Sequence, residues 1–394
     1  MNKFEKLGVN PSMLKALEEQ NITDPTEIQE KTIPLVLEGK DIIAGSATGS
    51  GKTLAFAAGI LAKSEKGKGI QALVLTPTRE LAIQVKDAIK SFSKYDQRTF
   101  AIIHGGVAIG PQIDNLKRSE IVVGTPGRIL DHMERGTIDL RNTKTLVLDE
   151  ADRMLDMGFI DDVRRIISQC PKERQTLLFS ATIYQEIVDI ANHDMNNPIK
   201  ITAKSFVDPS KLEQIYFDVD KGLKISLLVH LLKNEESGLV MVFCNTRMNV
   251  DFVVKNLKAQ RIEAQAIHGG FSQAKRTKTI TQFHSKHSHV LVCTDVAARG
   301  LDIPLVSHVY NYDIPKDSKE YVHRIGRTAR AGKEGIVINL LTEYDYDNFS
   351  RVLQDNKFEI RKEKPPYVEK IVVKRIERSG RRPQRGGFRG RGRR

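Results

Sequence analysis

Apolar runs recur along this chain without alternation: Ile42-Ile43-Ala44, Ala72-Leu73-Val74-Leu75, Ile121-Val122-Val123, Thr145-Leu146-Val147-Leu148, Val240-Met241-Val242-Phe243 and Val290-Leu291-Val292-Cys293. Continuous short runs of this kind read as strands buried on both faces, and the helical stretches between them cover those faces. Strand and helix in alternation predict an α/β fold with parallel sheets, whose ligand sites lie beyond the carboxyl ends of the strands.

The pattern occurs twice. Ala72 through Arg79 is echoed by Leu239 through Arg247, each an apolar strand leading into Thr-Arg. Ile102-Ile103-His104-Gly105-Gly106 is echoed by Ala266-Ile267-His268-Gly269-Gly270, and Ile121 through Thr125 by Val290 through Thr294. The offsets are 168, 164 and 169, and near-equal spacing of three pairs implies two homologous domains in tandem. A length of 394 residues suits two cores. The expected division is a first domain over 1–202, a polar linker over 203–212 that acts as a hinge, a second domain over 213–362 and a basic tail over 363–394.

Chemistry enters with Ser46-Ala47-Thr48-Gly49-Ser50-Gly51-Lys52-Thr53, set between the strand Ile42-Ile43-Ala44 and the helical run from Leu54. That context predicts a phosphate-binding loop: backbone N–H groups turn onto phosphates, Lys52 supplies charge to the β and γ positions, and the Thr53 hydroxyl serves Mg²⁺. The strand ending at Leu148 delivers Asp149-Glu150-Ala151-Asp152, where Asp149 suits the metal and Glu150 suits the attacking water. Asp220-Lys221-Gly222-Leu223-Lys224, at the matching place in the second half, lacks the loop pattern. One nucleotide therefore sits between the two domains, and the second domain must bring positive charge to it. His323 through Arg330 carries candidate arginine fingers in cis, Arg327 and Arg330, three apart and on one helical face.

Composition narrows the class. With 40% hydrophobic and 28% charged residues the chain reads as a globular protein. No stretch has the length of a membrane span and Met1 to Val9 lacks a signal-peptide core, so the expected location is cytoplasmic, with no membrane partner. Cys170, Cys244 and Cys293 are scattered and predict neither disulfides nor zinc. His284, His287 and His289 lack a fourth ligand and read as a polar loop. Of the formal charge of +13, eight come from Arg378, Arg381, Arg382, Arg385, Arg389, Arg391, Arg393 and Arg394. Interleaved with glycines and Phe388, they predict a disordered segment that binds single strands by charge and stacking.

With these motifs in place and in order, residues 4 to 350 resemble the DEAD-box ATP-dependent RNA helicases of superfamily two. The resemblance implies two tandem RecA-like domains, ATP and Mg²⁺ as ligands, and RNA as partner. It further implies adenine recognition by Phe4 and by Pro25-Thr26-Glu27-Ile28-Gln29, with Gln29 on the base edge. Asp302 of Arg299-Gly300-Leu301-Asp302 would contact ribose. Asp152, Ser180-Ala181-Thr182 and His323 would couple hydrolysis to RNA. RNA would be held by Pro77, Thr78, Arg79, Glu80, Leu81, Gly105, Gly106, Thr125, Pro126, Gly127 and Arg128 on the first domain. On the second it would be held by Asn245, Thr246, Arg247, His268, Gly269, Gly270, Gln273, Arg276, Thr294 and Asp295. Strand-end glycines and hydroxyls suit backbone and sugar recognition independent of sequence.

Two departures stand out: Asn21-Ile22 replaces a usual Gly and aromatic, which makes stacking there aliphatic, and Ser46 replaces a usual Ala. The resulting expectation is a monomeric core, open to protein regulators, that closes on ATP and RNA and separates a short duplex locally. A DNA motor on the same frame and an RNA clamp driven by the tail are the rival readings.

Overall fold

The computed structural model describes residues 3–45, 50–183, 185–202, 212–234, 237–285, 288–298, 306–328, 334–355 and 359–374. The first domain holds seven strands: β1 Ile42–Gly45, β2 Ala72–Leu75, β3 Phe100–Ile103, β4 Ile121–Gly124, β5 Thr145–Asp149, β6 Gln175–Ser180 and β7 Ile199–Thr202. The second holds β8 Leu212–Asp218, β9 Val240–Phe243, β10 Ala264–Ile267, β11 Val290–Cys293, β12 His308–Asn311, β13 Gly335–Leu341 and β14 Arg361–Glu363. Their sheet orders are β3-β4-β2-β5-β6-β1-β7 and β10-β11-β9-β12-β13-β8-β14. The two orders superpose strand for strand, as the internal repeat requires.

Every pairing among the described strands is parallel, with Ile42 of β1 opposite Leu177 of β6 and Ile199 of β7. Helices cover both faces, which is why the strands are apolar without interruption. Leu73 and Leu75 face one core while Ala72 and Val74 face the other. The order β5-β6-β1 sets Asp149, Ser180 and the phosphate-loop segment side by side at the carboxyl ends of three neighbouring strands. In the second sheet β12-β13-β8 takes that place. Lys224 opens the helix after β8 as Lys52 opens the helix after β1, but it is buried against Asp345 at 2.8 Å.

Two expected boundaries are corrected. β8 already begins at Leu212, so the linker ends by residue 211; its residues 203–211 lie outside the described residues. The second domain does not stop at residue 362. Val368, Ile371 and Val373 pack on its core. Ile371 N donates to Ser226 Oγ at 3.1 Å, and Lys374 N donates to Asn256 Oδ1 at 2.8 Å. Pro365 and Pro366 before these positions, and Glu369 and Lys370 among them, break any strand or helix pattern in the sequence. The arginine-rich residues 375–394 lie outside the described residues. Among the described residues, no helix is long and apolar enough to cross a membrane.

Candidate nucleotide site and nucleic-acid cleft

Ser46, Ala47, Thr48 and Gly49 lie outside the described residues, and the loop is described from Ser50 onward. Gly51 caps the helix Lys52–Lys63 with φ +85°. A Cβ there would stand 2.3 Å from Gln29 Nε2, so the position takes only glycine. Gln29 Nε2 donates to Gly51 O at 2.9 Å, Thr26 Oγ1 donates to Ser50 O at 2.8 Å, and Gln29 Oε1 accepts from Thr26 N at 2.8 Å. The expected adenine segment is thus tied to the phosphate loop. The Gln29 amide keeps one donor hydrogen and one lone pair for a base edge.

Phe4 is fully buried in the first domain's core. It packs in the same domain as this segment. Asn21 has φ +55°, a left-handed backbone that Asn tolerates nearly as Gly does, which accounts for its standing where the family usually has Gly. Ile22 packs on the same core.

At the end of β5 the charged groups converge. Lys52 Nζ lies 2.7 Å from Asp149 Oδ1 and 3.9 Å from Glu150 Oε1, and Arg153 Nη1 lies 2.5 Å from Glu150 Oε2. All four side chains are buried. Burial is the largest influence on each titrating group and opposes its charge. For Lys52 the carboxylates of Asp149 and Glu150 outweigh burial and hold its pKa above the ordinary value. For Asp149 burial prevails, helped by the neighbouring Glu150 charge, and its pKa is raised. For Glu150 burial is outweighed by Arg153, Lys52 and Arg327, and its pKa is lowered. Glu150 also sits at φ +56°, a left-handed conformation costly for a non-glycine residue and characteristic of functional turns. Sequence reading missed Arg153; its i,i+3 spacing from Glu150 on a helix was the available signal.

Asp149 Oδ2 is buried with no hydrogen-bond partner among the described residues, an orphaned acceptor suited to a cation. Among the described residues no three His, Cys, Asp or Glu side chains are grouped to hold a metal alone. That donor set fits Mg²⁺ shared with substrate phosphates, since Mg²⁺ takes one or two carboxylates and keeps phosphate and water ligands. Beside it, Asp152 Oδ2 accepts from Thr182 N at 3.0 Å and Thr182 Oγ1 at 2.9 Å, and Ser180 Oγ donates to Thr182 O at 2.6 Å. The expected coupling residues of the first domain therefore form one network. His323, half-buried, lies in the second domain's helix Ser318–Ile325, two residues before the helix ends.

Arg327 is buried, and its charge reaches Glu150 across the domain boundary. Arg330 and Asp302 lie outside the described residues. Arg324, fully buried, is a brace: Nε and Nη2 grip the two Asp295 oxygens at 2.7 and 2.6 Å, Nη2 also reaches Asn245 Oδ1 at 2.8 Å, and Nη1 reaches Asp313 O at 2.6 Å.

Between the domains runs a cleft of about 760 Å³ lined by Pro77, Thr78, Arg79, Gly105, Gly106, Thr125, Gly127 and Arg128 from the first domain and by Gly269 and Arg276 from the second. Its two walls repeat one device. Thr78 and Thr246 cap their helices through Oγ1, accepting from Leu81 N at 3.2 Å and Asn249 N at 3.1 Å. Arg79 lies over Gly105 and Gly106, and Arg247 lies over Gly269. Pro126 opens the helix Pro126–Glu134 behind Thr125.

Four of the expected RNA contacts also have partners within the protein. Asp295 is spent on Arg324. Asn245 ties Arg324 and, through Nδ2, Ile314 O at 2.8 Å. His268 accepts from Gly270 N at 3.1 Å through Nδ1 and therefore donates from Nε2 to Asp251, also at 3.1 Å. Arg276 pairs with Glu80 of the first domain at 2.9 Å. Thr294 is buried behind them, and the Gln273 side chain lies outside the described residues. Glu80, expected within the RNA-contacting segment Pro77 through Leu81, pairs here with Arg276.

Residues 26–190 match the family DEAD/DEAH box helicase, and residues 223–332 match the helicase conserved C-terminal domain. The DEAD-box ATP-dependent RNA helicase CshA of Geobacillus kaustophilus is 44% identical over 376 residues, 94% of this chain and 80% of that protein. A DEAD box protein of Methanococcus jannaschii shares 42% identity, with 91% of this chain and 98% of that one covered, at a TM-score of 0.57. Saccharomyces cerevisiae Dbp5 bound to RNA and ADP BeF3 shares 32% identity, with 93% and 96% covered, at a TM-score of 0.83. Duplicated sheets, converged charges and the cleft between them agree with these comparisons, and the chain belongs to the DEAD-box ATP-dependent RNA helicases.

Proposed function

We propose that this RNA helicase works by a closure cycle in which single-stranded RNA fills the cleft, ATP fills the site at β1 and β5, and hydrolysis permits reopening. The observation that carries the reading is the cleft lined by both domains and crossed by Arg276 and Glu80 at 2.9 Å, with Arg327 of the second domain among the cations that lower the Glu150 pKa. Catalytic charge is complete only when the domains meet. Lys52 would hold the β- and γ-phosphates. Glu150, kept ionised by its cations, would orient the attacking water and accept its proton, and Arg327 would stabilise charge developing on the phosphoryl group. Asp149 and Thr53 would hold Mg²⁺, which supplies charge neutralisation at the phosphates when bound.

Glycine-lined walls capped by Thr78 and Thr246 favour recognition of a sugar–phosphate backbone over base edges, so unwinding is local and independent of sequence. Both halves of the ATP site lie in one chain, which supports a monomeric core. The test is steady-state ATP hydrolysis without nucleic acid, with RNA and with DNA, repeated in Arg327→Ala. RNA stimulates turnover well beyond DNA, and Arg327→Ala lowers stimulated turnover by about 10³-fold or more, as loss of an arginine finger does. Equal stimulation by DNA, or normal turnover in Arg327→Ala, would overturn the reading.

A further inference from the structure

The carboxyl ends of β8 and β13 hold a second groove, of about 470 Å³, that shares no lining residue with the cleft. In the sheet orders β8 and β13 take the places of β1 and β6, so the groove repeats, in the second domain, the position of the phosphate loop. Its chemistry is reversed. The charged residues that line it are Asp218, Asp220 and Glu343, with no base among them, and Lys224, the counterpart of Lys52, is held by Asp345. A position that draws phosphate in one domain repels it in the other and suits a cation.

The strap shapes this groove. Pro365, Pro366, Tyr367 and Val368 run along its rim, over an apolar floor of Leu223, Leu227 and Leu341. Tyr367 is 89% exposed and Tyr346, also on the rim, 46%. Open rings beside acids seat a guanidinium, which stacks on an aromatic face and forks onto a carboxylate. Asp218 is already taken by Lys362 Nζ and by the Tyr346 hydroxyl, each at 2.5 Å. Asp220 and Glu343, both exposed, make no ion pair among the described residues.

The chain carries a segment of matching chemistry. Residues 378–394 hold eight arginines, no acid and one aromatic, Phe388. Val368 lines the groove and Lys374 follows six residues later, at most about 20 Å away. Phe388 lies fourteen residues beyond Lys374, a reach of up to about 46 Å. The arginine-rich end can therefore return to the groove with length to spare, and its tether favours docking in cis over docking on a second copy.

We propose that this groove is an interaction surface for the chain's own arginine-rich end, with Phe388 on the apolar floor and the flanking Arg385 and Arg389 on Asp220 and Glu343. Acids of the groove and phosphates of RNA then compete for the same guanidinium groups. RNA draws the end off the groove, and the groove withholds the end from RNA. The docking does not depend on how the two domains close.

In the full chain, dyes at residue 394 and on the second domain report docking by energy transfer. Transfer is high without RNA, and it falls on adding a single-stranded RNA or in the double variant Asp220→Asn with Glu343→Gln. Freed of its competitor, RNA reaches half-maximal ATPase in that variant at a concentration about tenfold lower, the scale of one charged hydrogen bond. Turnover at saturating RNA is unchanged, which shows that the variant folds. Tyr367→Ala, which removes a ring and no charge, lowers the same concentration by about threefold. In a chain ending at Glu377 these substitutions change nothing. Equal falls with and without the arginine-rich end would trace the effect to bulk charge and overturn the docking, as would low transfer without RNA. Transfer between separately labelled copies in place of transfer within one chain would put the end on a second copy and overturn docking in cis.

Discussion

Gly106 shows how little room the cleft leaves its residues. Its φ is +81°, and a Cβ there would stand 2.0 Å from Arg79 Nη1. An alanine meets two penalties: a left-handed backbone costs about 1–2 kcal/mol, and the guanidinium must leave its place. Gly269 in the second domain faces Arg247 more loosely, with a Cβ 3.2 Å from Nη2. Gly106→Ala therefore raises the RNA concentration for half-maximal ATPase by about tenfold, the scale of a displaced charged hydrogen-bond donor. Gly269→Ala raises it only a few-fold, because Arg247 can give by tenths of an ångström. Titrating RNA against ATPase rate in the two variants checks the order; equal effects would show that Arg79 does not depend on the bare glycine beside it. Glu150 makes the complementary case, since Arg153 and Lys52 of its own domain hold its charge before the second domain's Arg327 adds to them.

At the scale of elements, legibility follows how local the physics is. The strands were plain because burial on both faces leaves uninterrupted apolar runs, and the phosphate loop was plain because strand, glycines, lysine and helix are contiguous. The repeat went further and fixed two homologous sheets. What escaped depends on distant partners: Glu80 pairs with Arg276 and Asp295 with Arg324. The strap over residues 364–374 escaped because it is short, follows two prolines and forms no helix or strand, so its apolar contacts carry no periodic pattern. That strap makes a testable claim. A chain ending at Glu363 loses the packing of Val368, Ile371 and Val373, part-buried side chains worth together about 2–4 kcal/mol. A chain ending at Lys374 keeps them. Thermal unfolding separates the two, with the shorter chain melting at lower temperature and the longer one unchanged; equal melting temperatures would return the strap to the tail.

The whole molecule divides its positive charge between a core that must open and close and an arginine-rich end that need not. The residues before Arg378 carry +5 of the total +13, and the eight arginines from Arg378 onward carry the rest with no acid among them. The cleft supplies its own grip through Arg79, Arg128 and paired helix caps, so the end is not needed to shape the site. Its contribution to RNA binding is then mostly counterion release, which a salt titration isolates. Each phosphate neutralised on a single strand contributes about 0.7 to the log–log slope of affinity against salt. With half the arginines engaged, a chain ending at Glu377 shows a slope shallower by about 3. It keeps the strap through Lys374 and every catalytic group, so turnover at saturating RNA persists while the RNA needed for half-stimulation rises, most steeply at low salt. Preference among RNA sequences stays as it was, because arginines and one Phe388 read charge and stacking more than base edges. An unchanged slope in the shortened chain, with its melting temperature preserved, would mean that the core alone carries the electrostatic grip and that the arginine-rich end does not touch the strand.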